Sequence, residues 1–235
     1  MKLAIMQPYF LPYIGYYQLI SAVDLFIVYD NIKYVKKGWI NRNRMLINGE
    51  PSFFTVPLAH KSSAVAIRET EISTAPEHRR WAEKMLKSFD NAYRRAPEFS
   101  RTYPLIERVL TSTTRKVSEL AVDSIRAVAT LLEIRTPIVE TSASYGNGHL
   151  HGEDRVIAIC KAEGADRYVN ASGGRELYAH GRFAAEGIDL RFLTPQPVEY
   201  PQFGDAFVPW LSIVDVLMFN PVGRVREYLR ACEVA

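Results

Sequence analysis

The 235-residue sequence has little cysteine, no strong excess of one charge and no long apolar run. Its two cysteines, Cys160 and Cys232, form neither a metal-binding spacing nor a disulfide framework, so we predict a buried thiol and a C-terminal thiol. The net charge of +3, from 29 basic and 26 acidic residues, is too balanced to predict nucleic-acid binding. No apolar run approaches the ~20 residues that cross a bilayer, so we expect no membrane span.

Signature motifs of several enzyme classes are also missing. The sequence holds no Gly-x-Ser-x-Gly elbow, no Walker motif and no dinucleotide fingerprint. The apolar N-terminal run ends at Gln7, which is too short for a signal peptide, so we expect a cytoplasmic protein. His149 and His151 could hold a metal with Asp154, but no further ligand follows at a recognisable spacing, so we predict no metal site.

Short apolar strands alternate with helical patterns at both ends of the chain. Residues 2–6 and 25–29 read as strands joined by a helix over 13–22, which makes them parallel neighbours. Further strands are predicted over 137–140, 166–169 and 188–193, with a short one over 65–67. Helices are predicted between the later strands, including one over 176–186, and another is predicted over 210–219. The pattern predicts an α/β fold with an open, mainly parallel sheet flanked by helices.

The middle of the chain has a different pattern. Asn48-Gly49 predicts a hairpin turn between two short strands. Trp81, Met85 and Phe89 then recur at four-residue spacing, which is typical of a helix. We therefore predict one α/β domain over residues 1–235, with a mainly helical insertion over 76–133.

The segment QPYFLPYIGY, from Gln7 to Tyr16, follows the first strand and starts the first helix. A glycine at such a corner lets a group approach the backbone, and free N–H groups at a helix start favour an anion such as phosphate. The alternative is that the aromatic residues pack the helix against the sheet. The residues that we predict to bind substrate here are Gln7, Tyr9, Tyr13 and Gly15.

A basic stretch follows the second strand. Basic and aromatic side chains together can hold a phosphorylated or sugar-containing substrate, and the alternative is a solvated basic loop. The candidate binding residues in this predicted loop are Lys37, Trp39, Asn41, Arg42, Asn43 and Arg44.

Other polar candidates are spread along the chain. Asp30 falls at the carboxyl end of the second strand, where open parallel sheets bind ligands, and His60 is a second candidate acid or base with Lys61 beside it. The turn after the strand over 166–169 offers Asn170, Ser172 and Gly173 as a cradle for a polar ligand. The last two candidates are Gln202 and Asp215, of which Asp215 is either a structural hydrogen bonder or part of the site.

Two resemblances extend these predictions. The corner Tyr13-Ile14-Gly15-Tyr16 stands where nucleotidyltransferases and class I tRNA synthetases have a His-x-Gly-His motif, although both histidines are missing. The N-terminal stretch up to Met45, together with YVNASGGRELY, YPQF and FVPWLSIVDVLMFN, resembles the WbqC family over essentially the whole chain. This sequence reads Val169-Asn170-Ala171-Ser172-Gly173 where many members read Leu-Ser-Gly.

The WbqC family is similar to proteins encoded among O-antigen and other surface-polysaccharide genes. The resemblance implies work on sugars or sugar precursors, with a plausible transfer of an acyl or aminoacyl group to an amino sugar. The expected partner is a small-molecule sugar or nucleotide sugar, and the donor is a thioester, an aminoacyl-tRNA or an acyl-adenylate made from ATP. Asp30 or His60 would take the amine proton, and the Ser172 turn would stabilise the oxyanion.

Two other functions stay open from the sequence. One is a degenerate nucleotidyltransferase or ATP-dependent ligase that uses ATP and magnesium at the Gly15 corner. The other is a non-enzymatic partner protein of the same pathway. The sequence leaves the oligomeric state undetermined.

Overall fold

A computed structural model describes residues 1–60, 64–78, 80–204 and 206–235. The strands are β1 (Lys2–Met6), β2 (Leu25–Val28), β3 (Arg42–Ile47), β4 (Glu50–Thr55), β5 (Ile138–Val139), β6 (Arg167–Ala171), β7 (Asp189–Pro195) and β8 (Cys232–Val234). The α-helices are α1 (Ile14–Ser21), α2 (Trp81–Tyr93), α3 (Phe99–Leu110), α4 (Val117–Leu131), α5 (Gly152–Ala162), α6 (His180–Ala184), α7 (Ile213–Phe219) and α8 (Val222–Tyr228). None of these helices is long and apolar enough to cross a membrane.

The central sheet has six strands in the order β5-β2-β1-β6-β7-β8. Every neighbouring pair is parallel except β7 and β8 at the edge. The chain fills one side of β1 first, with β2 and β5, and then crosses to the other side with β6 and β7. The strand order therefore reverses between β1 and β6, and ligands bind at such a point in doubly wound sheets. The predicted α/β fold is confirmed.

Strands β1 and β2 are buried on both faces, and their residues are apolar except for Lys2 at the start of β1. Ala4 of β1 faces a core with α1, α4, α7 and α8, whereas Leu3 and Ile5 face a second core with α5 and α6. Successive strand residues point to opposite faces, so a strand covered on both sides needs apolar residues at every position. Cys160 of α5 is fully buried in the second core, as predicted.

The hairpin of β3 and β4 forms a separate two-stranded sheet that packs on the helical middle of the chain. Its turn is the predicted Asn48-Gly49 pair, and both residues have the positive φ that this turn needs. Phe54 contacts Phe89 of α2, and Phe89 stacks on Tyr93. The helices α2, α3 and α4 lie within the stretch for which the sequence predicts a helical insertion.

Several local predictions are wrong. Arg42, Asn43 and Arg44 belong to β3 rather than to a loop, because Asn43 points inward and uses its amide on backbone carbonyls while the arginines point outward. The helix predicted from Trp210 begins only at Ile213, since Trp210 has a left-handed φ of 60°.

The C-terminal part of the chain also departs from its predicted pattern. A 3-10 helix over Ser172–Leu177 and the short α6 replace the helix predicted over 176–186. Residues 65–67, which suggested a short strand, lead into a 3-10 helix over Ile67–Glu69. Cys232 lies at the start of β8, which closes the sheet edge, rather than in a tail.

Candidate functional site

A cavity of about 530 Å³ opens at the carboxyl ends of β1 and β6, where the strand order reverses. A site of this size is ordinary for a small organic ligand. The predicted site residues that line it are Gln7, Tyr9, Tyr13, Gly15, Trp39, Asn43, Arg44, Asn170, Ser172 and Gly173. The structure thus brings together the QPYFLPYIGY corner, part of the basic stretch and the turn after β6.

Arg44 is the one charged side chain among the described residues that line this cavity. Its Nη2 donates a hydrogen bond to the carbonyl oxygen of Trp210 at 2.9 Å, and its guanidinium lies over the Trp39 ring at 5.6 Å. Its Nε is buried and has no hydrogen-bond partner among the described residues. Since the Nε is closed to an incoming oxygen, the remaining N–H groups of this guanidinium are the donors that an anionic ligand in the cavity would use.

Two side-chain amides stand at the ends of the two central strands. Asn170, at 5% exposure, accepts a hydrogen bond from the N–H of Ala171 at its Oδ1, at 2.8 Å. Its Nδ2 has no hydrogen-bond partner among the described residues, and neither has the side chain of Gln7. A Cβ at Gly174 would lie 2.6 Å from that Nδ2, so glycine is what leaves room for the Asn170 amide. Both amides are available to a ligand.

Tyrosines supply further polar groups of the cavity wall. Burial raises the pKa of Tyr9 and of Tyr13 above the ordinary value, so both phenols stay protonated at neutral pH. The Tyr9 ring lies against Tyr16, whose hydroxyl donates to the carbonyl oxygen of Gln7 at 2.9 Å. Neutral phenols can donate hydrogen bonds to a ligand but cannot act as bases.

The sequence predicts that Gly15 lets a group approach the backbone at the corner, and the structure shows which group does so. A Cβ at this position would lie 2.8 Å from Cζ of Tyr13 and 2.9 Å from Cγ of Pro195. The group that approaches the backbone of α1 is therefore the ring of Tyr13, which lies across the first turn of the helix. The glycine positions Tyr13 in the cavity wall.

Asp30 and His60, the two candidate acid–base residues, do not line this cavity. Asp30 is buried, and its Oδ1 accepts hydrogen bonds from Thr141 Oγ1 at 2.8 Å and from the N–H of Ser142 at 3.2 Å. Burial raises the pKa of Asp30, and these hydrogen bonds partly oppose the effect. The carboxylate thus joins the end of β2 to the segment after β5, while His60 is exposed.

The remaining candidates also lie away from the cavity wall. Asn41 is buried and uses its side chain on Tyr34 and on the carbonyl oxygen of Val56. Lys37 is exposed, and Arg42 lies over the ring of Phe53 at 4.6 Å. Lys61 lies outside the described residues.

Gln202 and Asp215 belong to one buried hydrogen-bonded cluster. Asp215 is fully buried and accepts hydrogen bonds from Tyr93, Tyr200 and Gln202 at 2.8, 2.8 and 2.7 Å. The cluster connects α2, the loop before α7 and α7 itself. The structure thus favours the structural reading of Asp215 that the sequence left open.

The cavity also has lining residues that the sequence did not suggest. They include Tyr29, Ile32, Leu177, Tyr178 and Trp210. Tyr29 directly follows β2, so its place at the sheet edge was available from the strand prediction. Trp210 comes from a distant loop, and no local pattern places it beside Tyr13.

Comparisons with known proteins bear on the family rather than on the reaction. An uncharacterized protein of Mycobacterium tuberculosis (strain ATCC 25618 / H37Rv), Rv1507c, is 28% identical over 235 residues, which cover 98% of each chain. No solved structure matches the chain. The model of the WbqC-like protein family matches residues 7–227. The chain therefore belongs to the WbqC-like protein family.

Proposed function

We propose that the cavity between β1 and β6 binds a nucleotide-linked amino sugar and that the protein transfers an acyl or aminoacyl group to its amine. The observation that carries the proposal is that Arg44 is the one charged side chain among the described residues of a wall that is otherwise aromatic, aliphatic or uncharged polar. Such a wall suits a ligand with one anionic part and several flat or hydroxylated parts.

Each part of the proposed substrate has a matching part of the wall. The guanidinium of Arg44 faces the phosphates, because it can form charge-assisted hydrogen bonds with their oxygens. The side-chain amide of Gln7 and the Nδ2 of Asn170 hold sugar hydroxyls, since an amide nitrogen donates and an amide oxygen accepts. The rings of Trp39 and Trp210 provide faces for the base or the sugar.

A thioester donor carries its acyl group on sulfur. The amine nitrogen of the sugar attacks the carbonyl carbon, the new N–C bond forms and the C–S bond breaks. The proton that the nitrogen loses is taken by the departing thiolate sulfur. The neutral phenols of Tyr9 and Tyr13 and the backbone N–H groups at Ser172 donate hydrogen bonds to the oxyanion.

The wall explains why this route for the proton is preferred. Among the described residues, those that line the cavity include no carboxylate and no imidazole. A thiolate released next to the new ammonium can accept its proton without a separate base. Asp30, which the sequence offered as that base, instead supports the sheet edge beside the cavity.

The test is a transfer assay read by product mass. Purified protein is incubated with a panel of nucleotide-linked amino sugars and with acyl thioesters, aminoacyl-tRNA, or carboxylic acids with ATP and magnesium. We expect the sugar to gain the mass of one acyl or aminoacyl group only when sugar, donor and protein are all present. No gain across the panel, with a protein that binds the nucleotide sugars, would contradict the transfer step.

A second candidate is nucleotidyl transfer or ATP-dependent ligation. Its specific support is the position of the Gly15 corner at the reversal of a parallel sheet, where nucleotides bind in many α/β enzymes. Binding of ATP with magnesium would then raise the melting temperature of the wild type. Gly15→Val, which displaces the Tyr13 ring, would remove that shift. ATP that leaves the melting temperature unchanged would count against this candidate.

A further inference from the structure

A second cavity, of about 390 Å³, adjoins the first. The two cavities share Tyr13 and Trp210 as lining residues. The rings of these residues meet edge to face, with their centroids 5.9 Å apart and their planes at 67°. The aromatic pair is therefore the partition between the two spaces.

The second cavity has the opposite electrostatic character from the first. Apolar side chains provide most of its wall, among them Pro195, Val198, Phe207 and Leu211. Glu199 is the one charged side chain among the described lining residues, and no cation is present there to receive a phosphate. An anionic ligand part is therefore favoured in the first cavity, and an uncharged apolar part in the second.

Hydrogen bonds to the backbone at Trp210 and Ser212, rather than burial of the ring, hold Trp210 in the partition. Trp210 is 57% exposed and has a left-handed φ of 60°, which is unfavourable for a bulky residue. Its carbonyl oxygen accepts from Nη2 of Arg44, and the N–H of Ser212 donates to the carbonyl oxygen of Arg44 at 2.9 Å. Arg44 thus fixes the backbone on both sides of Leu211, and the Trp210 ring contacts Tyr13 while more than half of the residue stays exposed.

We propose that the second cavity holds the apolar acyl chain of the donor and that the reactive carbonyl reaches the first cavity past the exposed edge of the Trp210 ring. This inference rests on the proposed transfer function and assigns a place to its second substrate. The nucleotide sugar occupies the first cavity, with its amine directed to the partition. The new N–C bond then forms beside the aromatic pair, on the side of the first cavity, and the thiol leaves with the proton of the amine.

The experiment measures the binding of N-acetylcysteamine thioesters with acyl chains of increasing length by calorimetry. Burial of one methylene contributes about 0.8 kcal/mol, so the affinity rises about fourfold per added carbon until the cavity is full. An affinity that does not depend on chain length would overturn the inference. This series needs no variant, so it is decisive even if a substitution impairs folding.

Val198→Trp fills the second cavity, and Val35→Trp is its matched control on an exposed loop that lines neither cavity. We expect Val198→Trp to weaken thioester binding at least tenfold and to leave nucleotide-sugar binding within twofold, and Val35→Trp to change neither. Thioester binding that survives Val198→Trp would overturn the inference and leave the proposed sugar function standing. If the wild type binds thioesters but no nucleotide sugar, and Val198→Trp blocks the thioesters, the apolar cavity is supported and the proposed function fails.

Discussion

The Tyr93 hydroxyl joins α2 to strand β3 and to α7, and the cost of removing it can be predicted. This hydroxyl accepts a hydrogen bond from the N–H of Leu46 at 2.9 Å and donates one to Oδ2 of Asp215 at 2.8 Å. All three residues are buried. Tyr93→Phe keeps the ring but removes both hydrogen bonds at once, so it separates the hydroxyl from the packing of the ring.

The expected loss of stability follows from the two groups that lose a hydrogen bond, the N–H of Leu46 and the Oδ2 of Asp215. A buried N–H without a partner costs about 1–3 kcal/mol, and a hydrogen bond lost from a charged group costs about 1.5–3 kcal/mol. Since the site relaxes in part, we expect Tyr93→Phe to lower the free energy of unfolding by roughly 2–5 kcal/mol. Urea denaturation with an unchanged slope measures this directly.

Tyr103→Phe is the matched control on the neighbouring helix. Its hydroxyl makes only a 3.4 Å contact with the carbonyl oxygen of Leu86, so we expect a loss of at most about 0.5 kcal/mol. Equal losses in Tyr93→Phe and Tyr103→Phe would refute the reasoning, because the buried cluster would then contribute nothing specific.

The loss of stability in Tyr93→Phe is also expected to depend on pH. Burial raises the pKa of Asp215, and the hydrogen bonds from Tyr200, Tyr93 and Gln202 oppose that rise. A raised folded-state pKa means that the carboxyl contributes stability below its ordinary pKa, and that this is lost as the pH rises through the folded value. Without the Tyr93 hydroxyl the folded pKa rises further. The deficit of Tyr93→Phe is therefore larger near pH 8 than near pH 5.

Three further predictions concern single side chains. Gly15→Ala places a Cβ against the Tyr13 ring and Pro195, so it lowers the free energy of unfolding by about 1–3 kcal/mol, measured by urea denaturation; an unchanged value would contradict the close approach. Asn41→Ala leaves the carbonyl oxygen of Val56 unpaired, so thermal denaturation is expected to show a loss of about 1–3 kcal/mol. Burial raises the pKa of Asp30, so the wild type is expected to lose stability relative to Asp30→Asn as the pH rises from about 4 towards neutrality. A difference in the free energy of unfolding between the two proteins that does not change with pH would argue against this burial effect.

The central strands were predictable because their signal is local. β1 and β2 are short apolar runs next to turn residues, and the Asn48-Gly49 turn follows from the positive φ that both residues tolerate. β8 was not predictable, because Cys232–Val234 is a strand only through its antiparallel pairing with β7. An edge strand that depends on a partner has no periodicity of its own.

The site was predictable where it follows strand ends and unpredictable where it depends on contacts between distant segments. Gln7 and Asn170 follow from their places at the ends of β1 and β6. The division of the basic stretch into Arg44, which lines the cavity, and Arg42, which does not, depends on where the Trp210 segment meets β3, because Arg44 bonds to the Trp210 carbonyl oxygen. The pairing of Tyr13 with Trp210 depends on how the loop before α7 returns to the corner.

Arg44 and Arg42 together offer the most direct test of the proposed binding site. They are two residues apart on β3, and each lies over an aromatic ring, but only Arg44 lines the cavity. The measurement is the dissociation constant of a nucleotide-diphosphate amino sugar for the wild type, Arg44→Ala and Arg42→Ala. Loss of one charge-assisted contact costs about 1.5–3 kcal/mol, so we expect about 10- to 150-fold weaker binding for Arg44→Ala and less than about twofold for Arg42→Ala. Equal affinities for the wild type and Arg44→Ala would contradict it.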